Sequence, residues 1–387
     1  MITLLLLAER EIFMRKKILF AIGRLSVGGA EKLLVNQLPV VDKEKLDPYL
    51  LTLFPEKKSA TFEEKVVLAG HQWKKLDFRS LFDLISWMKL FRFFRKEKFD
   101  AVITALFSAN LIVRIAAIFT GVPVIIIHEH NIYEDKHRWQ IWMDWLLSKW
   151  TDKIITDSDA AKFFTAKQEK IPLEKFLTMY APSFVDKAKG KDPGLIRRDL
   201  GLPKDAKIIL TISRLVPEKG HKYLIEAANL VLDKFPNVYF LIVGWGPLEG
   251  SLKSQVLSLK LEDRVLFPGL FLGKSDIENI LPVADIFVDP STRTDMPFAI
   301  MEALSFGKPV VSTAIGDIPI FVKNQETGFA VPPANSAELA DKILVLLRDG
   351  AAREKMGKTG AEMVKPYTME NYEKTFEKLI IDLSNAN

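Results

Sequence analysis

Short apolar runs alternate along the chain with longer stretches in which apolar side chains recur every three or four positions. The runs have the length of buried strands and the stretches the period of amphipathic helices, so the pattern predicts parallel sheets flanked by helices. In the first half, strands are expected at Ile18–Ile22, Tyr49–Phe54, Ala101–Thr104, Val124–Ile127 and Lys153–Thr156. In the second half they are expected at Lys207–Ile212, Val238–Val243, Val265–Phe267, Ile286–Asp289 and Pro309–Ser312, with helices such as His221–Lys234 and Pro297–Ser305 between them. The segment Asp186–Gly194 is charged, carries Gly and Pro and has no apolar period, as an exposed linker would. The expected domains are therefore 1–190 and 191–365. A last amphipathic segment, 366–387, places Tyr372, Phe376 and Leu379 at helical spacing, and this stripe needs a surface to dock on.

Composition narrows the class. A chain of 387 residues with 48% apolar and 27% charged residues is a folded protein of about two domains. With no cysteine there are no disulfides, thiolate metal sites or cysteine nucleophiles, which agrees with a reducing, cytoplasmic compartment. A net charge of +5 is too small to imply nucleic-acid binding, so clustering matters more than the total. The run Leu4–Leu7 is far shorter than the ~20 residues of a membrane span, and Glu9 and Glu11 follow it. Neither an anchor nor a signal peptide is expected there, and the first thirteen residues read as a dispensable extension or a misplaced start.

Basic residues cluster in Arg79–Phe99, where Arg79, Lys89, Arg92, Arg95, Lys96 and Lys98 face only Asp83 and Glu97. Phe82, Trp87, Phe91, Phe93 and Phe94 are interleaved with them. A basic helix bordered by aromatics suits anionic lipid headgroups; a helix buried on one face would account for part of the same pattern. Downstream, Trp139, Trp142, Met143, Leu146 and Trp150 form a second stripe, readable as a membrane-interface face or as core.

Three turns carry the candidate chemistry. Ile212–Gly220 leaves a strand and enters a helix with Arg214 and Lys219 five residues apart; two cations at the C-terminal end of a parallel strand suit a diphosphate, and taken alone the spacing is met more often by loop cations that are simply solvated. Val243–Pro247 sets Gly244, Gly246 and Pro247 in a second strand-to-helix turn, where the glycines admit a ligand to the helix N-terminus or simply make a tight turn. Phe298–Val311 places Glu302 among apolar neighbours, where ribose hydroxyls, a cap or an ion pair would satisfy it.

In this order, and with Gly307–Val311, Thr327–Gly328 and Val331–Pro333 behind them, these turns resemble the family 4 glycosyltransferases, the retaining group 1 enzymes. The likeness extends over nearly the whole chain, through the loop Val27–Glu31 and the segment Trp150–Ser158. It implies an α/β, GT-B fold: two Rossmann-like domains with parallel sheets facing across a cleft, and a C-terminal helix returning to the first domain. It implies transfer of a sugar from a nucleotide-diphosphate donor to an acceptor hydroxyl, in polysaccharide or glycolipid synthesis, with no cofactor and no metal. By the same resemblance Arg214 and Lys219 stabilise the leaving diphosphate, while Gly244, Gly246, Pro247, Asp295, Phe298, Ala299 and Glu302 contact the donor. Gly28 and Gly29 would sit against donor phosphate or acceptor, and His130, preferred to His128, would face the reacting sugar. The partners implied are a nucleotide sugar, a lipid-linked or saccharide acceptor and an anionic membrane surface at 79–99, with no nucleic acid.

Two departures from the family pattern stand out. Where the family has a first Glu this chain has Thr294, with Asp295 beside it as the substitute, and Gly316–Ile320 lacks a carboxylate at Ile320. A nucleotide-sugar epimerase of the same fold and a non-catalytic sugar-nucleotide-binding homologue are the competing readings. A nicotinamide oxidoreductase is disfavoured, since Val27–Ala30 is not a dinucleotide-binding turn. A metal bound by His128 and His130 would need a third ligand, and none is near in sequence.

Overall fold

The computed structural model describes residues 15–26, 28–55, 61–130, 132–182, 190–269, 276–293 and 297–386. The N-terminal extension, residues 186–189 of the linker, Val27, Thr294 and Asp295 lie outside them. The chain forms two compact units, one of Met1–Ala181 with Met369–Asn387 and one of Pro182–Thr368.

The first unit contains β1 (Lys16–Ile22), α1 (Gly29–Gln37), β2 (Leu46–Thr52), α2 (Glu63–Leu68), β3 (Gln72–Lys75) and α3 (Leu84–Glu97). It continues with β4 (Ala101–Ala105), α4 (Phe107–Thr120), β5 (Val124–Glu129), α5 (Arg138–Leu147), β6 (Lys153–Thr156), α6 (Asp159–Glu169) and β7 (Phe176–Thr178). The second contains α7 (Pro193–Asp199), β8 (Lys207–Ile212), α8 (His221–Leu232), β9 (Val238–Val243), α9 (Glu249–Ser258), β10 (Val265–Leu266) and α10 (Asp276–Ile280). After these come β11 (Ile286–Asp289), α11 (Phe298–Ser305), β12 (Val310–Thr313), α12 (Ile318–Phe321), β13 (Gly328–Val331), α13 (Ser336–Arg348) and α14 (Gly350–Val364). The final helix, α15 (Met369–Ala386), belongs to the first unit.

Every strand pairing is parallel, in a 7-stranded sheet of order β3-β2-β1-β4-β5-β6-β7 and a 6-stranded sheet of order β10-β9-β8-β11-β12-β13. In both, the winding reverses once: between β1 and β4 in the first sheet, and between β8 and β11 in the second. Diverging connections open a crevice at such a reversal, beyond the C-terminal strand ends. The central strands are fully buried runs such as Ile18–Ile22 and Phe240–Val243, as a sheet covered on both faces requires. The three strands that the hydrophobic pattern does not predict, β3, β7 and β13, are all at sheet edges. Edge strands bury less, so Gln72–Lys75 can be polar and Phe176–Thr178 very short.

The helix α15 docks on the first unit through Tyr372, Phe376 and Ile380, all buried. The Phe376 ring stacks on Phe20 of β1 with centroids 5.7 Å apart. Gln37 donates to Glu373 at 2.7 Å and Lys45 to Glu377 at 2.6 Å, which sets the register of the helix. Phe376→Ala leaves a cavity against β1 and should lower the stability of the first unit by about 3–5 kcal/mol. Urea unfolding would check this; a loss below ~1 kcal/mol would show that the helix docks without Phe376.

Candidate active site

In the second unit the predicted turns lie at neighbouring strand ends. Arg214 and Lys219 follow β8, Gly244–Pro247 follow β9, and α11 with Glu302 follows β11, across the winding reversal. The loops after β8 and β9 are joined by backbone bonds: Ser213 N–H donates to Val243 O at 3.0 Å, Leu215 N–H to Trp245 O at 2.9 Å, and Leu248 N–H to Leu215 O at 3.1 Å. A Cβ on Gly244 would overlap the carbonyl of Ser213, and one on Gly246 that of Leu215. The glycines thus make room for the neighbouring loop, a partner that sequence does not reveal. On the other side, Gly220 (φ 64°) leaves no space for a Cβ beside the carbonyl of Pro290, and Thr292 N–H donates to Glu218 O at 2.8 Å.

Arg214 is exposed, its guanidinium 3.6 Å from Glu218, and Lys219 is half-buried at the end of a short 3-10 turn, Pro217–Lys219. Phe298 and Ala299 open α11 half-buried, while Glu302 is buried. A further residue at this edge is His221, which begins α8, is buried and shares a 2.9 Å hydrogen bond with Ser213 Oγ. Burial holds its imidazole neutral, down to about 4, despite Asp289 nearby.

In the first unit, His128 and His130 leave β5 and meet Asp157, which follows β6. His128 Nε2 lies 2.7 Å from one carboxylate oxygen and His130 Nδ1 2.8 Å from the other. The two rings are 3.7 Å apart, and all three residues are buried. The imidazoles hold Asp157 well below the usual carboxylate range against the opposing effect of burial, so it accepts from both rings. Burial, reinforced by His130, pushes His128 down to about 4, which makes it a neutral Nε2–H donor. His130 donates from Nδ1 and keeps Nε2 for another partner.

Asp157 is the third group that the His-x-His pair lacked in sequence. The next residue, Ser158, caps α6, its Oγ accepting from Ala161 N–H at 3.0 Å. Gly28 caps α1 and Gly29 begins it, but the space of a Gly28 side chain is filled by the Glu31 carboxylate, which accepts from Ser26 Oγ at 3.1 Å. An anion is therefore already seated at this helix N-terminus. At the winding reversal, Leu106 caps α4 at φ 69°, a conformation that costs a non-glycine residue about 1–3 kcal/mol.

On the opposite face of β5, Glu129 enters a buried network that sequence reading missed. Asn110 donates to Glu129 at 3.0 Å, Arg114 to Asp144 at 2.5 Å, and Lys136 to Asp144 at 3.0 Å and Glu169 at 2.5 Å. Three carboxyls share two cations. Burial, with Asp144 nearby, pushes Glu169 up to about 8 and raises Glu129.

Comparison with known proteins identifies the chain. Residues 27–180 match Glycosyltransferase Family 4 and residues 194–363 match Glycosyl transferases group 1. The chain belongs to glycosyltransferase family 4. It is 31% identical over 263 residues to an Escherichia coli UDP-Gal:alpha-D-GlcNAc-diphosphoundecaprenol alpha-1,3-galactosyltransferase, covering 64% of this chain and 66% of that one. It is 26% identical over 258 residues to an alpha-D-kanosaminyltransferase of Streptomyces kanamyceticus, covering 63% and 66%. These alignments span just under two thirds of either relative. In fold the chain is similar to Anabaena HepE in complex with UDP, with a TM-score of 0.82 at 21% identity over 95% of this chain and 100% of that one. It is also similar to a glycosyltransferase from Rickettsia africae, with a TM-score of 0.83 at 19% identity over 97% and 100%. The family's fold of two Rossmann-like parallel-sheet units is the one observed.

Two buried carboxyls of this glycosyltransferase make its stability depend on pH. Burial pushes Glu373 up to about 8, as it does Glu169, whereas the unfolded chain releases these protons near the ordinary glutamate value of 4.5. Their contribution is complete below that value and is lost as pH rises through about 8. From about pH 7 to 9 each should cost roughly 1 kcal/mol. Chemical denaturation across that range should show the decline, and Glu169→Gln and Glu373→Gln should each remove a share; a flat wild-type profile would contradict it.

Proposed function

We propose that the enzyme transfers a sugar, with retained anomeric configuration, from a nucleoside-diphosphate sugar to a hydroxyl of a lipid-linked or saccharide acceptor. The observation that carries this reading is the clamped loop at the winding reversal of the second sheet, which holds Arg214 and Lys219 on backbone fixed from both sides. Cations that need not reorganise stabilise a departing diphosphate best, each by roughly 3–4 kcal/mol. The UDP complex of HepE and the UDP-sugar named for the E. coli relative favour a uridine nucleotide. In this reading Glu302 takes the ribose, with Gly244, Gly246, Pro247, Phe298 and Ala299 around the donor and Asp295 near the sugar. Because Glu31 already occupies the N-terminus of α1, Gly28 and Gly29 are assigned to hydroxyls of the sugar or acceptor rather than to phosphate.

His130 is assigned to the reacting sugar through Nε2, with Asp157 as the residue that positions it. The acceptor is placed at a membrane surface. The E. coli relative is named for a diphosphoundecaprenol acceptor, and α3 turns Leu84, Ile85 and Met88 outward among its cations. No helix among the described residues is long and apolar enough to cross a membrane. A peripheral enzyme on the cytoplasmic face is the location that fits.

Arg214→Ala and Lys219→Ala should each lower turnover of a radiolabelled UDP-sugar, or its slow hydrolysis, at least tenfold with folding intact. Unchanged turnover in both would overturn the donor assignment. Cation side chains in place of a metal mean that activity should survive EDTA; loss restored by Mg²⁺ or Mn²⁺ would contradict metal independence.

Asp157→Asn can no longer accept from both imidazoles and frees His130 to change tautomer. It should lower kcat at least tenfold with little change in donor KM and displace the pH profile of kcat. A KM effect alone would reduce Asp157 to a structural residue.

A further inference from the structure

The helices α3, α4, α5 and α6 pack side by side in chain order. Their outer surface sorts its residues unusually. Of their acidic side chains, Glu97 is paired with Lys17 at 2.5 Å, Asp144 and Glu169 are buried against Arg114 and Lys136, and Asp159 accepts from Thr178 at 2.5 Å. The cations instead point outward: Lys89, Arg92, Arg95 and Lys96 on α3, Arg138 on α5 and Lys167 on α6 are exposed.

Large apolar side chains stand among these cations. On α3, Leu90 and Phe94 enter the core, whereas Phe82, just before the helix, is 89% exposed, and Leu84, Ile85 and Met88 are also outside. The surface continues through Phe119 at the end of α4, 74% exposed, to Trp139, Trp142 and Trp145 on α5, Trp150 beyond it and Phe163 on α6. The tryptophan stripe that could have been core is thus outward-facing, with Trp142 55% exposed. Lys149 lies over the Trp145 ring at 4.5 Å and Lys162 over Phe163 at 5.8 Å, pairing cations with rings at the surface. Between α5 and the end of α6 is a recess of about 500 Å³ lined by Trp142 and Trp145, by Arg138 and Lys170, and by Gln168 and the Lys136-paired Glu169.

We propose that this α3–α6 face is a membrane-docking surface that inserts its aromatic side chains into an anionic bilayer, with the Trp142–Trp145 recess receiving a lipid phosphate headgroup. The inference deepens the peripheral reading of the proposed function, in which α3 alone made the contact. The charge sorting argues for this occupant: an anionic surface meets cations without exposed carboxylates on the same helices, and indole rings favour the water–lipid boundary. A contact made by α3 charges alone is weakened fully by salt. Inserted tryptophans add an apolar component that salt does not remove.

Vesicles of mixed phosphatidylcholine and phosphatidylglycerol, with and without bromine on the upper acyl chain, test this on the full-length protein. The expected results are a blue shift of tryptophan emission and quenching by the brominated lipid. Trp142→Ala/Trp145→Ala should remove most of the quenching and weaken vesicle binding at high salt at least tenfold, with UDP-sugar hydrolysis in the absence of vesicles unchanged. Changing Lys89, Arg92 and Lys96 to Glu should instead abolish the salt-sensitive part. Absence of quenching, or quenching and high-salt binding unaffected by the double tryptophan change, would overturn the proposal even where α3-dependent binding persists. Sedimentation velocity showing self-association through this face, lost in the tryptophan variant and insensitive to vesicles, would overturn it too. Loss of hydrolysis on Arg214→Ala is a separate result that bears only on the transferase reading.

Discussion

Between the loops that follow β8 and β9 there is no room for side chains on Gly244 and Gly246, and the C-terminal strand edge of the second unit depends on that contact. Because the two backbones touch, their hydrogen bonds continue the pairing of β8 with β9 past the strand ends. Pro290 presses from the other side against Gly220. A loop held this way cannot relax around a ligand, so Arg214 and Lys219 swing from a fixed base. The ordering cost that a mobile loop would incur on binding is met during folding. At 3.6 Å the exposed Arg214–Glu218 ion pair is loose and contributes little to holding the loop.

The first unit solves the corresponding problem with charge. Alternation along β5 sends His128 and His130 to one face and Glu129 to the other, so one strand feeds two polar networks. On the first face a single carboxylate orients two imidazoles, and α15 closes over the site, with Tyr372 near enough for Asp157 to oppose its ionisation. The docking of the C-terminal helix and the state of the histidine triad are therefore parts of one packed arrangement.

The strands covered on both faces are legible in sequence, because burial on both sides demands an unbroken apolar run, whereas of the four edge strands only β10 is legible and β3, β7 and β13 are not, since that demand lapses there. Arg214, Lys219, Gly244, Gly246 and Glu302 are legible as candidates because their spacing is local to single strand-to-helix turns. The close approach of Gly244 and Gly246 to neighbouring backbone is not legible, since the partner loop is about 30 positions away in the chain. Asp157 is not legible as a partner of the two histidines, because that pairing depends on the adjacency of β5 and β6. The Glu129–Lys136–Asp144–Glu169 network is illegible for the same reason: each member sits on a different element, and nothing in local pattern says that α5 and α6 turn their acids inward.

That buried network also explains how a chain with a net charge of only +5 presents a strongly cationic face. Burying three carboxyls with two cations is not an economical way to stabilise a core, because desolvation consumes most of the Coulombic gain and apolar residues would serve as well. What it achieves is spatial. Each acid drawn inside by Arg114 or Lys136 is removed from the outer surface of α5 and α6, while Glu97 is neutralised by Lys17 at the end of α3. The field outside is then set by the cations that remain. Net charge averages over this separation and conceals it; only the direction in which each side chain leaves its helix reveals that the same residues build the interior of the first unit and keep Asp144 and Glu169 off the outer surface of α5 and α6.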